Sequence, residues 1–203
     1  MKRLTMVTSY VFMFFLITAC QMSSNVAPTI DYKGLSAKPG VVAFGAITDI
    51  DEKQYLIEQE ALFRGSLEGT GVDIERQEHA LILNIPGNIS FGINSAGMTW
   101  NLHSILDKIS PVLKEYKYTS ILLLGHSDSR GDPEVNLLLS EQRAKAIYHY
   151  LINSSVPAER MKYEGVGDKD LLIKNAETTL DNALNRRVTI EITVNKSEPE
   201  QNK

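Results

Sequence analysis

The residues of this chain best suited to chemistry are an aspartate and an arginine, Asp128 and Arg143, fifteen positions apart. Asp128 lies in the polar loop Ser127-Asp128-Ser129-Arg130-Gly131, directly after the apolar run Ser120 to Gly125. Arg143 lies in a helical stretch opened by Asp132-Pro133-Glu134. At about 100° per residue, Asn136, Ser140, Arg143, Ile147, Tyr150 and Leu151 share one helix face. The later half of that face is apolar and must turn inward, so the arginine sits on a core-facing stripe. A guanidinium there costs several kcal/mol unless it is paired and hydrogen-bonded. Asp128 is the obvious partner. One reading is an ion bridge that ties loop to helix. The other is a pocket for a zwitterion, with its ammonium against Asp128 and its carboxylate in a two-pronged bond with Arg143. The adjacent helix start would add backbone N–H groups suited to that carboxylate. Spacing alone leaves both readings standing.

Other chemistries are poorly served. His126, Ser127 and Asp128 are adjacent on a strand end and point in different directions, whereas a catalytic triad needs convergent side chains. The run Gly125 to Ser129 also lacks the second glycine of a nucleophile elbow. The chain is therefore not expected to be an enzyme. His79, His103 and His149 are scattered and read as surface or helix-flank residues, with no His/Cys spacing for zinc. The loop Asp128 to Asp132 lacks the carboxylate ladder of a calcium site. Neither metal nor cofactor is expected. Arg186 and Arg187 could each meet a carboxylate, but strand alternation turns one of them toward the core side. Trp100 lies beside an apolar helix stripe and reads as packing.

These groups need elements to hold them. Asp51 to Leu67 has loosely helical apolar spacing and acids at its start. Gly69-Thr70-Gly71 breaks it, and Val72–Arg76 and Ala80–Ile85 read as strands across the turn Gln77-Glu78-His79. Thr99 to Tyr116 is a clear helix: Leu102, Ile105, Leu106, Ile109, Val112, Leu113 and Tyr116 form one stripe. The uninterrupted run Ile121 to Leu124 suggests a strand covered on both faces. Asp132 caps the next helix, Pro133 suits its first turn and Glu134 suits its dipole. A strand over 160–164, a helix over 178–185 and a strand over 187–194 complete a β-α-β-α-β-α-β order, an α/β sandwich of helices on a small sheet.

Composition sets the outer limits. The 203 residues are 43% hydrophobic and 23% charged, which suits one globular domain with extensions. Net charge is −4, and −6 once Lys2 and Arg3 leave with residues 1–19. No broad positive surface invites nucleic acid. Met1-Lys2-Arg3, the apolar run Val11 to Ile17 and the small residues before Cys20 describe a secretory signal, too short for a spanning helix. Ile17-Thr18-Ala19-Cys20 resembles the lipobox of bacterial lipoproteins, and Cys20 is the sole cysteine. That resemblance implies cleavage before Cys20 and acylation of it, at about 0.8 kcal/mol per buried methylene. Gln21, where an aspartate would resemble an inner-membrane retention signal, favours the outer membrane. The expected layout is a signal peptide over 1–19, a lipidated tether over 20–50, a helix and lead-in strand over 51–79, a domain over 80–195 and a polar tail over 196–203.

Several motifs then converge on one family. Gly125-His126-Ser127-Asp128-Ser129-Arg130-Gly131 is similar to G-H-T-D-x-x-G. Asn136, Leu139-Ser140 and Arg143-Ala144 match N-x-x-L-S-x-x-R-A, and Asn185-Arg186-Arg187-Val188 matches N-R-R-V. With Pro86 to Phe91 and Asn94-Ser95-Ala96 upstream, residues 80–194 resemble the OmpA C-terminal, peptidoglycan-associated family. Gly69-Thr70-Gly71-Val72 adds a likeness to small envelope lipoproteins of that type. The sequence departs from the pattern at Asp181-Asn182-Ala183 and near Leu171. The resemblance implies a mixed sheet covered by helices and a ligand, meso-diaminopimelate in the peptidoglycan stem. Asp128 would hold its ammonium, Arg143 its carboxylate, and Asn94 would line the pocket. Asn136, Ser140 and Arg187 complete the implied ligand-binding set. Further implications are an outer-membrane lipoprotein facing the periplasm that tethers envelope to wall. The alternative is an accessory subunit of a secretion or motility machine, positioned by wall binding beside other envelope proteins.

Overall fold

The structure is a computed structural model that describes residues 49–195. Cys20, the expected signal segment, most of the tether and the polar tail lie outside the described residues. Helix α1 (Asp49–Leu67) is followed by strands β1 (Asp73–Arg76) and β2 (Ala80–Pro86), then by the short helix α2 (Gly87–Ser90). Helix α3 (Trp100–Glu115), strand β3 (Thr119–His126), helix α4 (Pro133–Asn153) and strand β4 (Met161–Gly167) come next. Helix α5 (Thr179–Asn185) and strand β5 (Arg187–Val194) close the domain.

The five strands form one sheet in the order β1-β2-β5-β3-β4. β3 and β4 are parallel, bridged by α4, and the other neighbours are antiparallel. Register stacks the core in rows: Leu81, Ile192 and Ile121 in one, and Leu83, Ile190 and Leu123 in the next. These residues are buried together with the α3 stripe and with Ile147 and Leu151 of α4. The opposite sheet face carries Glu191 beside Leu122, and Thr189 beside Leu124 and hydrogen-bonded to Asn84 (2.8 Å). Leu122 and Leu124 are only half-buried. The expectation of a strand covered on both faces is therefore corrected. An antiparallel sheet can leave one face to water, and an apolar run does not reveal which case applies.

Segment 51–79 shares this core. Leu56, Phe63 and Leu67 of α1 and Ile74 of β1 are buried in the same cluster. Glu60 of α1 accepts from Arg64 (2.8 Å) and from Arg76 of β1 (2.9 Å), and Arg64 also donates to the Ile74 carbonyl (2.8 Å).

Two glycines bring α4 close to the sheet. A Cβ on Gly125 would lie 1.9 Å from the Ser140 carbonyl oxygen, and one on Gly165 would lie 2.7 Å from the Glu141 backbone nitrogen. Only a residue without a side chain allows that approach. The α4 start is fixed as the sequence suggests: the Asp132 carboxylate accepts from the Glu134 and Val135 N–H groups (2.9 and 3.0 Å).

Candidate functional site

The loop after β3 and the inward face of α4 meet where Gly125 permits. Asn136 shapes the loop, its amide donating to the carbonyls of Asp128 (3.3 Å) and Arg130 (2.8 Å). Ser140 pins α4 to β4: its hydroxyl donates to Leu137 O (2.7 Å) and accepts from the Gly167 N–H (3.0 Å). Both side chains hold the frame.

Asp128 is 6% exposed and Arg143 7%. Each has other partners than the sequence suggested. The Asp128 carboxylate accepts from Arg130, at the backbone N–H (3.2 Å) and at Nη2 (2.8 Å), and from Arg186 Nη1. Arg143 Nε donates to the Ser95 carbonyl (3.0 Å), and its guanidinium lies over the Phe91 ring at 5.2 Å. A direct Asp128–Arg143 bridge is thus not formed, because Arg130 sits two residues from Asp128 and Arg186 reaches it from the end of α5. Burial alone would raise the Asp128 pKa. The Arg130 and Arg186 hydrogen bonds outweigh it and hold the carboxyl below its usual range. Burial pulls the Arg143 pKa down, Arg186 adds to this, and the nearby Asp128 charge opposes it. A guanidinium remains charged under these conditions.

The remaining expected residues fall in distinct places. Asn94 is exposed at the tip of the loop that supplies Ser95, in a left-handed conformation with φ of 49°. Arg187 is buried and turned away from Asp128, bonding Asp170 through Nη2 (2.8 Å). Arg186, left out of the expected ligand set, is the one that meets Asp128; adjacent residues at a strand start point oppositely. Arg130, Ser95 and Phe91 were also missed. The signal for Arg186 was in the Asn185-Arg186-Arg187-Val188 motif, which did not reveal which arginine faced the loop.

His126 is 1% exposed, and neither ring nitrogen has a hydrogen-bond partner among the described residues. Its Nδ1 lies 3.6 Å from the Asp170 carboxylate, too far for a hydrogen bond. Burial and the Arg187 charge push its pKa down to about 4, so the ring is neutral at pH 7 and this contact is not an ion pair. The Ser127 hydroxyl donates to the Asp128 carbonyl (3.0 Å), not to the imidazole. Trp100, expected to pack, is 89% exposed. It lies about 200° around α3 from Leu102, opposite the buried stripe.

No helix among the described residues is long and apolar enough to cross a membrane. No group of His, Cys, Asp and Glu among them could hold a metal ion.

A charged loop after β3, an inward arginine on α4 and the N-R-R-V turn at the start of β5 define an OmpA-type domain. Residues 90–186 match the model of the OmpA family, so the chain carries a domain of that family. It is 37% identical over 136 residues to the probable lipoprotein YiaD of Escherichia coli K12, covering 67% of this chain and 62% of that one. It is 31% identical over 94 residues to a peptidoglycan-associated lipoprotein of Rhizobium meliloti, covering 46% and 53%. The chain thus spans less than two thirds of either relative. Among solved structures, the cell wall anchor of the T6SS from Pseudomonas aeruginosa superposes with a TM-score of 0.59 at 27% identity, over 66% of this chain and 96% of that one.

Proposed function

We propose that this chain binds peptidoglycan without covalent chemistry, gripping the zwitterionic D-centre of diaminopimelate, and that acyl chains on Cys20 hold it to the outer membrane. The observation that carries this reading is the state of Arg143. It is buried, yet its two terminal nitrogens have no hydrogen-bond acceptor among the described residues. A ligand carboxylate satisfies both at once in a bidentate bond. The ligand ammonium then goes to Asp128, which stays ionised because its pKa is depressed. Arg130 yields its place there. Its side chain is 60% exposed, so it can swing into water and leave that side of the carboxylate open. Arg186 stays and holds the carboxylate in position. The relatives named for lipoproteins and for peptidoglycan association support the same reading.

Sedimentation of the chain lacking residues 1–20 with diaminopimelate-containing walls tests it. Asp128→Ala and Arg143→Ala should each cost about 2–5 kcal/mol of binding. Undiminished sedimentation of both variants rules the site out. For the anchor, Cys20→Ala should move the chain from membrane to soluble fractions; unchanged fractionation refutes lipidation.

Likeness to a cell wall anchor of a secretion system favours one further reading, an accessory subunit that uses the wall for positioning. In that case, substitutions on the exposed side of α1, at Glu58 and Leu62, would leave wall binding intact and stop the machine.

A further inference from the structure

Two large apolar side chains stand in water beside the proposed ligand site: Ile93 at 96% exposure and Trp100 at 89%. Both belong to the segment that holds Arg143. The Phe91↔Met98 bridge closes the 92–97 loop, whose Ser95 carbonyl accepts from Arg143, and the Thr99 N–H donates to Ser90 O (2.9 Å) at the foot of α3. Neither residue has a packing role that accounts for it.

The indole is braced. The His103 ring lies 5.9 Å from it and 5.1 Å from the ring of Tyr150, whose hydroxyl donates to Asp107 (2.6 Å). A row of side chains from α3 and α4 thus backs one side of Trp100 and leaves the rest of the ring open. A pre-set aromatic face loses little conformational entropy on binding. Its neighbours Asn94, Ser95, Asn101 and Ser104 are neutral and polar. None of these four is basic, whereas basic residues are what draw a protein to an anionic bilayer. The setting matches a pyranose ring, which has apolar C–H faces and a hydroxyl and amide rim.

We infer that Trp100, with Ile93 on the loop that precedes it, is a platform for an N-acetylated sugar of the glycan strand. The inference rests on the peptide-binding reading above and extends it to the sugar that carries the peptide. Arg143 bonds Ser95, and Trp100 follows Ser95 by five residues, so at most about 17 Å of chain separates the two, within reach of a short stem peptide.

Trp100 is the sole tryptophan, so its fluorescence reports the site directly. The chain without residues 1–20 is titrated with a disaccharide carrying a diaminopimelate-terminated peptide, with the same peptide free of sugar, and with anionic phospholipid vesicles. The expected result is a shift of Trp100 emission with the disaccharide-peptide alone. Trp100→Ala should bind the disaccharide-peptide about tenfold more weakly and the free peptide unchanged, while Trp100→Phe recovers part of the loss. Circular dichroism should match wild type, since the side chain is exposed. Equal wild-type affinity for both peptides, or an equal Trp100→Ala loss on both, overturns the platform and leaves the peptide site standing. An emission shift on vesicles overturns it in favour of a lipid surface. Failure of wild type to bind even the free peptide overturns the peptide reading, and the platform with it.

Discussion

Gly125 meets the backbone of Ser140 so closely that only glycine fits at position 125: a Cβ there would fall 1.9 Å from the serine carbonyl oxygen. The contact sets the height of α4 above β3, and with it the reach of Arg143 toward the Asp128 loop. Gly125→Ala must push the helix off the sheet and part the buried row beneath it. We expect a loss of about 2–4 kcal/mol in urea unfolding, the range of overpacked or partly opened cores. Gly65 is the internal control. It lies within α1, exposed, with nothing within 4 Å of an added Cβ. Gly65→Ala should stabilise by about 0.5–1 kcal/mol through helix propensity alone. A Gly125→Ala protein as stable as wild type contradicts this packing account.

Arg186 and Arg187 divide two tasks between neighbours. Arg186 holds the Asp128 carboxylate, and Arg187 bonds Asp170 beside the buried His126. Arg186→Gln should lower the unfolding midpoint only slightly, since Arg130 still pairs with Asp128, and should weaken wall sedimentation, since Asp128 loses its fixed partner. Arg187→Gln should do the reverse, costing on the order of 1–3 kcal/mol of stability as the buried Arg187 side chain gives up its bonds to Asp170. Equal effects of the two variants on both assays would contradict the division.

What the sequence disclosed was local. The stripe from Leu102 to Tyr116, the Asp132-Pro133 cap and the inward phase of Arg143 each depend on residues within a turn or two, and each appears in the structure. What it hid was decided across the chain. The identity of Asp128's partner depends on Arg186, 58 residues away, arriving at the end of α5. The open face at Leu122 and Leu124 depends on which strands flank β3. Trp100 was different: its phase relative to Leu102 already put it opposite the core, and a helical count begun at Thr99 would have exposed it.

Arg160 shows a charge used as a brace. It follows α3 in sequence by a strand and a helix, yet its guanidinium donates to the carbonyls of Leu113 (2.8 Å), Tyr116 (2.9 Å) and Thr119 (2.9 Å). Leu113 and Tyr116 lie at the C-terminus of α3, which leaves carbonyls without intrahelical donors and carries negative partial charge. Arg160→Ala takes a donor from all three carbonyls, of which Tyr116 O keeps the Thr119 hydroxyl (3.0 Å), and should cost about 2–4 kcal/mol in urea. Arg160→Lys cannot fork to all three and should recover only part. Full recovery by lysine would show that charge alone suffices.

His126 should give the domain a pH-dependent stability. In the unfolded chain its ring protonates near the ordinary value of about 6.5; in the folded one burial and Arg187 hold it near about 4. Between those values the unfolded state binds a proton that the folded state refuses, so stability falls as pH falls, by up to about 1.4 kcal/mol per pH unit. The contribution is complete above the unfolded value, and the loss ends once pH passes below the folded one. Asp128, with its depressed pKa, adds a loss of the same sign only at lower pH, near and below the usual carboxylate value. The two are separable by variant: His126→Gln removes the slope between pH 6.5 and 4 and leaves the acid limb below it. Urea midpoints measured in half-unit steps from pH 7.5 to 3.5 decide the matter. A wild-type profile flat across that upper window would mean that the buried ring takes up its proton without penalty, with Asp170 as its counter-charge.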